Sequence, residues 1–274
     1  MINYNGILLT DDKSPVNLPN RGLHFGDGIF ETIIYKNSEI QFFNLHWNRL
    51  NEGLKTLHIE LPFGKDALKA HLLQLVKRNN ENNAQRIKIT IWRDGKGKYT
   101  PIENSASYLI ENELFHPPEN QIINQAFVSQ KVTLHHHAFS HLKTISALSY
   151  VLAAIEKKER NIEELILLNH KSEIAEASSS NLFFYNVLTR KWTTPPLSAG
   201  CISGVSRRHL LNQLEATGEF IEEQNLSLAE LDENYALFSS NVTGAKQIYQ
   251  VDETLLNKDS EALTKLDQLF NEVH

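Results

Sequence analysis

The sequence predicts an α+β protein of two domains, and three observations carry that expectation. Strand-like and helix-like stretches are mixed in both halves, with short hairpin links, which suits mixed sheets better than a doubly wound parallel sheet. A proline-containing break, "FHPPENQ" at Phe115 to Gln121, interrupts the pattern near the middle. The 274 residues, 41% of them hydrophobic, suffice for two cores of ordinary size. These observations set a small N-terminal domain at 1–116, a linker at 117–121 and a larger C-terminal domain at 122–274.

In chain order, "INYNGILLTDD" mixes β-branched residues with Asn-Gly and reads as a strand or hairpin. "GIFETIIYKNSEIQFF" continues as two β-rich runs joined across "KNSE". In "NLHWNRLNEGLKTLHI" the period changes: Leu45, Leu50, Leu54 and Leu57 form an apolar stripe, with Asn44 as the expected N-cap. "GKDALKAHLLQLVKRNN" is a second amphipathic helix with basic residues and Asn at its end. "QRIKITIWRDGKGKY" is a strand entering a Gly-containing turn, and "SASYLIENEL" returns beside it.

Beyond the break, "INQAFVSQKVTL" is strand-like. A helix is expected from about Ser146, with Leu148, Val151, Leu152 and Ile155 on one face. "EELILLN", "IAEASSSNLFFYNV" and "KWTTPPL" follow as strands, and "GVSRRHLLNQLEATG" as a helix closed by Gly218. "YALFSSNVTGAKQIYQVD" reads as strand, loop, strand, and "SEALTKLDQLFNEV" as a terminal helix.

Composition narrows the function. A net charge of −6 with scattered Lys and Arg argues against a nucleic-acid or anionic-membrane surface. No apolar run is long enough to span a bilayer. The N-terminus, "MINYNGILLTDDKSP", lacks a basic segment followed by an apolar one, and the single cysteine, Cys201, suits a reducing compartment, so a cytoplasmic location is expected. His135, His136, His137 and His141 invite a metal reading, but adjacent residues cannot all face one ion, and no metal is expected.

Lys143, in "HLKTISALSY", stands just before a helix start, where the partial positive charge disfavours a cation. Burial there would favour a neutral amine, the form that Schiff-base chemistry requires. The plain alternative is a solvated loop lysine. "SAGCISGVSRRHLL" brings Val205, Ser206 and Arg207 to a helix start, where backbone N–H groups suit a phosphate. There the alternative is that Ser206 is only an N-cap. Glu176, in "EIAEASSSNLFFY", is a carboxylate beside a run that must be buried, so it either turns outward or faces a cation. An amine, a phosphate cradle and a buried carboxylate together are what a pyridoxal phosphate site needs.

At this point the chain resembles the class IV (fold-type IV) pyridoxal-phosphate enzymes, the family of branched-chain and D-amino acid aminotransferases and of 4-amino-4-deoxychorismate lyase. "RGLHFGDGIFET", "HWNRL", "LKTISALSYVLA", "EIAEASSSNLFF", "TPPLSAGCISGVSR" and "SSNVTGA" match its segments in order over nearly the whole chain. The resemblance implies a pyridoxal 5′-phosphate cofactor, with Lys143 as the catalytic Schiff-base lysine and Glu176 facing the ring nitrogen, Asn181 five residues on. It further implies cofactor contacts at Arg49, Val205, Ser206, Ser240 and Asn241, and substrate contacts at Phe25 and Arg93. A small N-terminal domain, a larger cofactor-binding domain and a homodimer are also implied. "ISGVSR" replaces the usual Leu-Pro-Gly-Ile-Thr-Arg of branched-chain enzymes, and Leu148 replaces a Tyr found five residues after the lysine in several aminotransferases. The activity expected is transamination of an amino acid. Aminodeoxychorismate lysis is the alternative, with an amino-chorismate as substrate. A non-catalytic, cofactor-binding protein is a third reading, against which stand both Lys143 and Glu176.

Overall fold

The computed structural model describes residues 1–10, 20–80 and 82–272; the last two residues of "INYNGILLTDD" lie outside them. It separates into two units: Met1–Pro117 with Leu142–Ser146, and Pro118–His141 with Ala147–His274.

In the first unit, alternation of apolar and polar residues builds one sheet. Its elements are β1 (Ile2–Tyr4), β2 (Ile7–Leu9), α1 (Arg21–Phe25), β3 (Gly28–Lys36), β4 (Glu39–Ile40), α2 (Phe43–Thr56), α3 (Lys65–Arg78), β5 (Gln85–Arg93) and β6 (Ala106–Leu114). The strand order is β2-β1-β6-β5-β3-β4, antiparallel throughout. Ile87, Ile89 and Ile91 of β5 point to one face, as period-two alternation requires, and meet Leu68, Leu72, Leu75 and Val76 of α3 in a common core. Helix α2 adds Leu50 and Leu54 to that core. Its start differs from expectation. Asn44 is exposed inside the helix and Phe42, at φ 53°, precedes the first turn without a side-chain cap. The buried face runs through His46, Leu50 and Gly53, so a polar residue occupies a core-facing position.

The second unit comprises β7 (Ile122–Ile123), β8 (Ala126–Leu134), α4 (Leu148–Arg160), β9 (Glu164–Asn169), β10 (Ile174–Ala177), β11 (Asn181–Asn186), β12 (Lys191–Thr194), α5 (Val205–Ala216), β13 (Ile221–Glu223), β14 (Tyr235–Asn241), β15 (Gly244–Ile248), β16 (Gln250–Val251), β17 (Thr254–Leu255) and α6 (Ser260–Asn271). Two mixed sheets, β10-β9-β8-β16-β17 and β13-β12-β11-β14-β15-β7, share a core through Ile166, Ile174, Leu182, Phe184, Leu237 and Ile248. Helix α4 contacts β8 and β9 of the first sheet, while α5 and α6 pack on β14 and β15 of the second. No helix among the described residues is long and apolar enough to cross a membrane.

Two expectations change here. The apolar stripe of α4 faces solvent, with Leu148 72% exposed and Val151, Leu152 and Ile155 also exposed. Ala153 and Glu156 take the buried side instead. Glu156 can be buried because it accepts from Ser129 Oγ, the backbone N–H of Gln130 and Arg160 at 2.6–2.9 Å, beside the register slip of β8 against β9. Second, Leu142–Ser146, expected within 122–274, belongs with the first unit. Phe30 N–H donates to Lys143 O at 2.9 Å, Ile145 N–H donates to Gly28 O at 3.0 Å, and Thr144 bridges Ile29.

That docking explains a glycine. A Cβ at Gly28 would strike Ile91 O on one side and Ile145 Cδ1 on the other. Gly28→Ala is expected to destabilise the chain by about 1–3 kcal/mol, the usual cost of overpacking. Urea unfolding checks this; a midpoint equal to wild type would show that the lysine segment does not rest on this strand.

Candidate active site

The first unit supplies an amine and a buried ionic cluster. Lys143 lies in a loop, with Thr144–Ala147 between it and the first residue of α4, so it is not in the first helical turn. Its Nζ sits over the Phe30 ring, 4.5 Å from the centroid.

On the next residue of β3, Glu31 alternates inward between Ile29 and Ile33 and is 1% exposed. A carboxylate there needs cationic partners. Arg49 provides a two-pronged one: Nε donates to Oε1 at 2.7 Å and Nη2 to Oε2 at 2.6 Å. His46, three residues earlier on α2, reaches Oε2 through Nδ1 at 2.7 Å. Burial alone would raise the Glu31 pKa, but the Arg49 guanidinium and the two hydrogen-bonding side chains outweigh it and hold the carboxyl at about 2. Burial lowers the His46 pKa, Glu31 works against that, and Arg49 and Lys143 lower it further. The ring is therefore neutral, its proton on Nδ1 facing an ionised carboxylate, with Nε2 left as an acceptor that has no hydrogen-bond partner.

A second ionic cluster concerns Arg93. Its Nε donates to Asp27 at 2.9 Å, Nη1 to His58 O at 2.9 Å and Asn104 Oδ1 at 2.6 Å, and Nη2 to Asp27 at 3.4 Å and Leu57 O at 2.5 Å. All five donors are used, so a substrate carboxylate at Arg93, the contact the resemblance implies, would have to displace part of a satisfied buried network. Asp27 also takes Arg21 Nε at 2.8 Å, and Arg21 Nη1 holds Lys98 O at 2.6 Å, tying the Gly95–Thr100 turn to α1. Phe25 is exposed, with its ring 5.8 Å from that of Tyr99 on this turn.

The second unit supplies a carboxylate and a cradle of small groups. Glu176 sits where the pairing of β10 with β9 slips between Ile174 and Glu176, an irregularity that re-aims a side chain. It is 3% exposed and does not turn outward. Tyr150 OH donates to Oε1 at 2.5 Å; Ile202 N–H at 3.2 Å and Asn181 Nδ2 at 3.3 Å donate to Oε2. Asn181 also donates to Ile202 O at 2.8 Å, so it braces the carboxylate and the turn entering α5. Gly204 precedes α5, and a Cβ there would collide with Asn181 Oδ1. Val205 and Ser206 are the first residues of α5 and are buried, so their N–H groups have no intrahelical acceptor; Gly204, not Ser206, is the N-cap. Arg207 turns away to Pro195 O and Glu223, each at 2.8 Å.

Ser240 stands directly opposite Asn181 in the β11–β14 register. Its hydroxyl is buried and has no hydrogen-bond partner. A buried hydroxyl so placed, with a helix N-terminus in the same unit, fits the phosphate end of a cofactor. Asn241 is different. Its Nδ2 holds Ser179 O and Ser180 Oγ, and its Oδ1 takes Thr243, so its side chain closes the β14–β15 turn. Among the described residues no group of three or more His, Cys, Asp or Glu could hold a metal ion.

Sequence reasoning passed over Glu31, His46 and the direction of Tyr150. A usable signal existed for the first: a carboxylate in the inward phase of "GIFETIIY" demands a cation.

Comparison with known proteins gives three results. A family model described as amino-transferase class IV matches residues 28–251. Among curated proteins, the chain is 24% identical to a putative branched-chain-amino-acid aminotransferase of Methanocaldococcus jannaschii, over 99% of this chain and 96% of that one. It is 24% identical to an aminodeoxychorismate lyase of Vibrio harveyi, over 80% of each. Among solved structures, the branched-chain aminotransferase of the archaeon Thermoproteus uzoniensis with norvaline superposes with a TM-score of 0.86 at 21% identity, covering 98% of this chain and 92% of that one.

The Glu31 cluster sets an acid limit. A carboxyl depressed from 4.5 to about 2 contributes about 3 kcal/mol of stability at neutral pH. That stability is present above pH 4.5 and is lost as pH falls toward 2. Glu31→Gln should lower stability at pH 7 by about 3–5 kcal/mol, because the partly buried Arg49 loses its carboxylate. It should also flatten the pH dependence across that window. Denaturant midpoints at several pH values test both; parallel acid profiles for variant and wild type would refute the assignment.

Proposed function

The chain belongs to the class IV aminotransferase family, and we propose that it transfers an amino group between an amino acid and a 2-oxo acid with pyridoxal 5′-phosphate as cofactor. The observation that carries this reading is Glu176, a buried carboxylate that accepts from a phenol, an amide and a backbone N–H, donors that favour its charged form. When bound, the cofactor supplies an aldehyde to the substrate amine and a protonated ring that accepts the electron pair left by the departing α-proton. Lys143 would be the amine that holds the cofactor's aldehyde and the base positioned for the substrate's α-proton. Glu176 would hold a proton at the ring nitrogen, and Asn181 braces Glu176. The phosphate would be held by the Ser240 hydroxyl and the N–H groups of Val205 and Ser206, with the Asn241 turn shaping the backbone beside Ser240; the family resemblance adds Arg49 as a cofactor contact. Phe25 borders the substrate side chain.

A second reading, aminodeoxychorismate lysis to pyruvate and 4-aminobenzoate, is supported by the likeness to the Vibrio harveyi lyase. It begins with the same proton removal by Lys143 and differs in what leaves next. The absorption spectrum of protein loaded with pyridoxal phosphate, before and after excess L-glutamate, separates the two. A visible band that shifts on adding glutamate supports transamination. A band indifferent to amino donors, with 4-aminobenzoate released from aminodeoxychorismate, transfers the assignment to the lyase. Lys143→Ala should abolish turnover and the band while leaving the far-UV circular dichroism unchanged; retained turnover would remove Lys143 from the mechanism.

The working form is proposed to be a homodimer. Support comes from the solvent-facing stripe of Leu148, Val151, Leu152 and Ile155 on α4, an apolar surface of the kind that a second copy buries. Leu152→Lys is expected to raise the dimer dissociation constant at least tenfold in sedimentation velocity. A monomeric wild type, or a variant as dimeric as wild type, would argue against this face.

A further inference from the structure

Tyr150 lies seven residues past Lys143 in the first turn of α4. Its hydroxyl meets Glu176 Oε1 at 2.5 Å, a shorter contact than those of Ile202 N–H and Asn181 Nδ2, which are 3.2 and 3.3 Å and both fall on Oε2. A contact that short is the charge-assisted kind, about twice as strong as a neutral one. The phenol stays a donor: burial and the Glu176 charge push its pKa well above that of an ordinary tyrosine. One further titratable group of the second unit acts on the pair. Cys201 follows the turn after β12, and burial, with Glu176 adding to it, pushes its thiol up to about 12. The Arg207 charge of α5 works in the opposite direction on the thiol, lowering it. Near neutral pH the thiol is protonated, so neither phenol nor thiol adds a charge beside the carboxylate.

We propose that Tyr150 is a positioning residue for Glu176: its hydroxyl lowers the carboxylate's affinity for a proton, so that a proton shared with the cofactor rests on the ring nitrogen. The inference rests on the reading that Glu176 faces that nitrogen. A hydrogen bond that favours the ionised form lowers a pKa, and a donor to a charged group is worth about tenfold or more in such an equilibrium. Removing it makes Glu176 the better base of the pair.

The test is the ¹⁵N chemical shift of ring-labelled pyridoxal phosphate bound to wild type, Tyr150→Phe and Glu176→Gln, followed against pH. Wild type should hold the ring nitrogen protonated near neutral pH, and Glu176→Gln should not. Tyr150→Phe should lose the ring proton at a pH about one unit lower than wild type, a tenfold change. A merely structural tyrosine would alter the melting temperature without moving this titration. Superimposable curves for wild type and Tyr150→Phe overturn the proposal. An unprotonated nitrogen in wild type instead overturns the Glu176 reading, and the proposal with it. Should Tyr150→Phe not fold, 3-fluorotyrosine at Tyr150 keeps the shape with a more acidic hydroxyl. Its titration must then move upward, and an unmoved midpoint overturns the proposal equally.

Discussion

Two backbone hydrogen bonds, Phe30 N–H to Lys143 O and Ile145 N–H to Gly28 O, fix where the candidate amine can be. A lysine side chain has about 2 kcal/mol of rotamer entropy and would wander if its backbone did too. Tying the lysine segment to an inner strand of the antiparallel sheet removes the backbone part of that freedom. The "FGDG" run follows from this constraint. Gly28 leaves room for the segment, and Asp27 anchors the neighbouring chain by holding Arg21 and Arg93 at once. Phe30 then offers its ring to the amine, and Glu31 turns to the opposite face to meet α2. Neighbouring residues thus have separate tasks, set by the period-two alternation of one strand.

The two units each bury a carboxylate but satisfy it differently. Glu31 is held by a guanidinium fork and an imidazole, so its charge is largely cancelled where it stands. Glu176 receives a phenol, an amide and a backbone N–H, none of which carries a formal charge. These donors favour the ionised form of the carboxylate. The first arrangement suits a strut that holds an arginine still. The second holds the Glu176 carboxylate in one orientation through three hydrogen bonds. The neighbouring residues agree with this division, since Asn181 spends both of its amide donor contacts on bracing Glu176 and the Ile202 turn.

How far the sequence was legible depended on the distance between partners. Fold class and the positions of α3 and α5 followed from periodicity, which is local. Glu176 could be singled out because a polar residue beside a buried strand is itself informative, whereas Ser240 entered only through the family resemblance of "SSNVTGA". The exposed stripe of α4 could not be anticipated, because periodicity reports that a helix has an apolar face and not what covers it. Tyr150 points at Glu176 from another side of the same helix. In α2 the leucines suggested a stripe through Leu45, yet His46 takes the buried position because Glu31, fifteen residues earlier, offers it a carboxylate. Arg93 shows the same limit from the other direction. An arginine beside a Gly-containing turn reads as a ligand-binding group until its donors are counted, and its acceptors come from Asp27, Leu57, His58 and Asn104. Only Asn104 lies close to it in sequence, so nothing local could reveal that the guanidinium was already satisfied. Charge identity is written in the sequence, whereas the availability of that charge is a property of tertiary structure, and a candidate site is defined by the second.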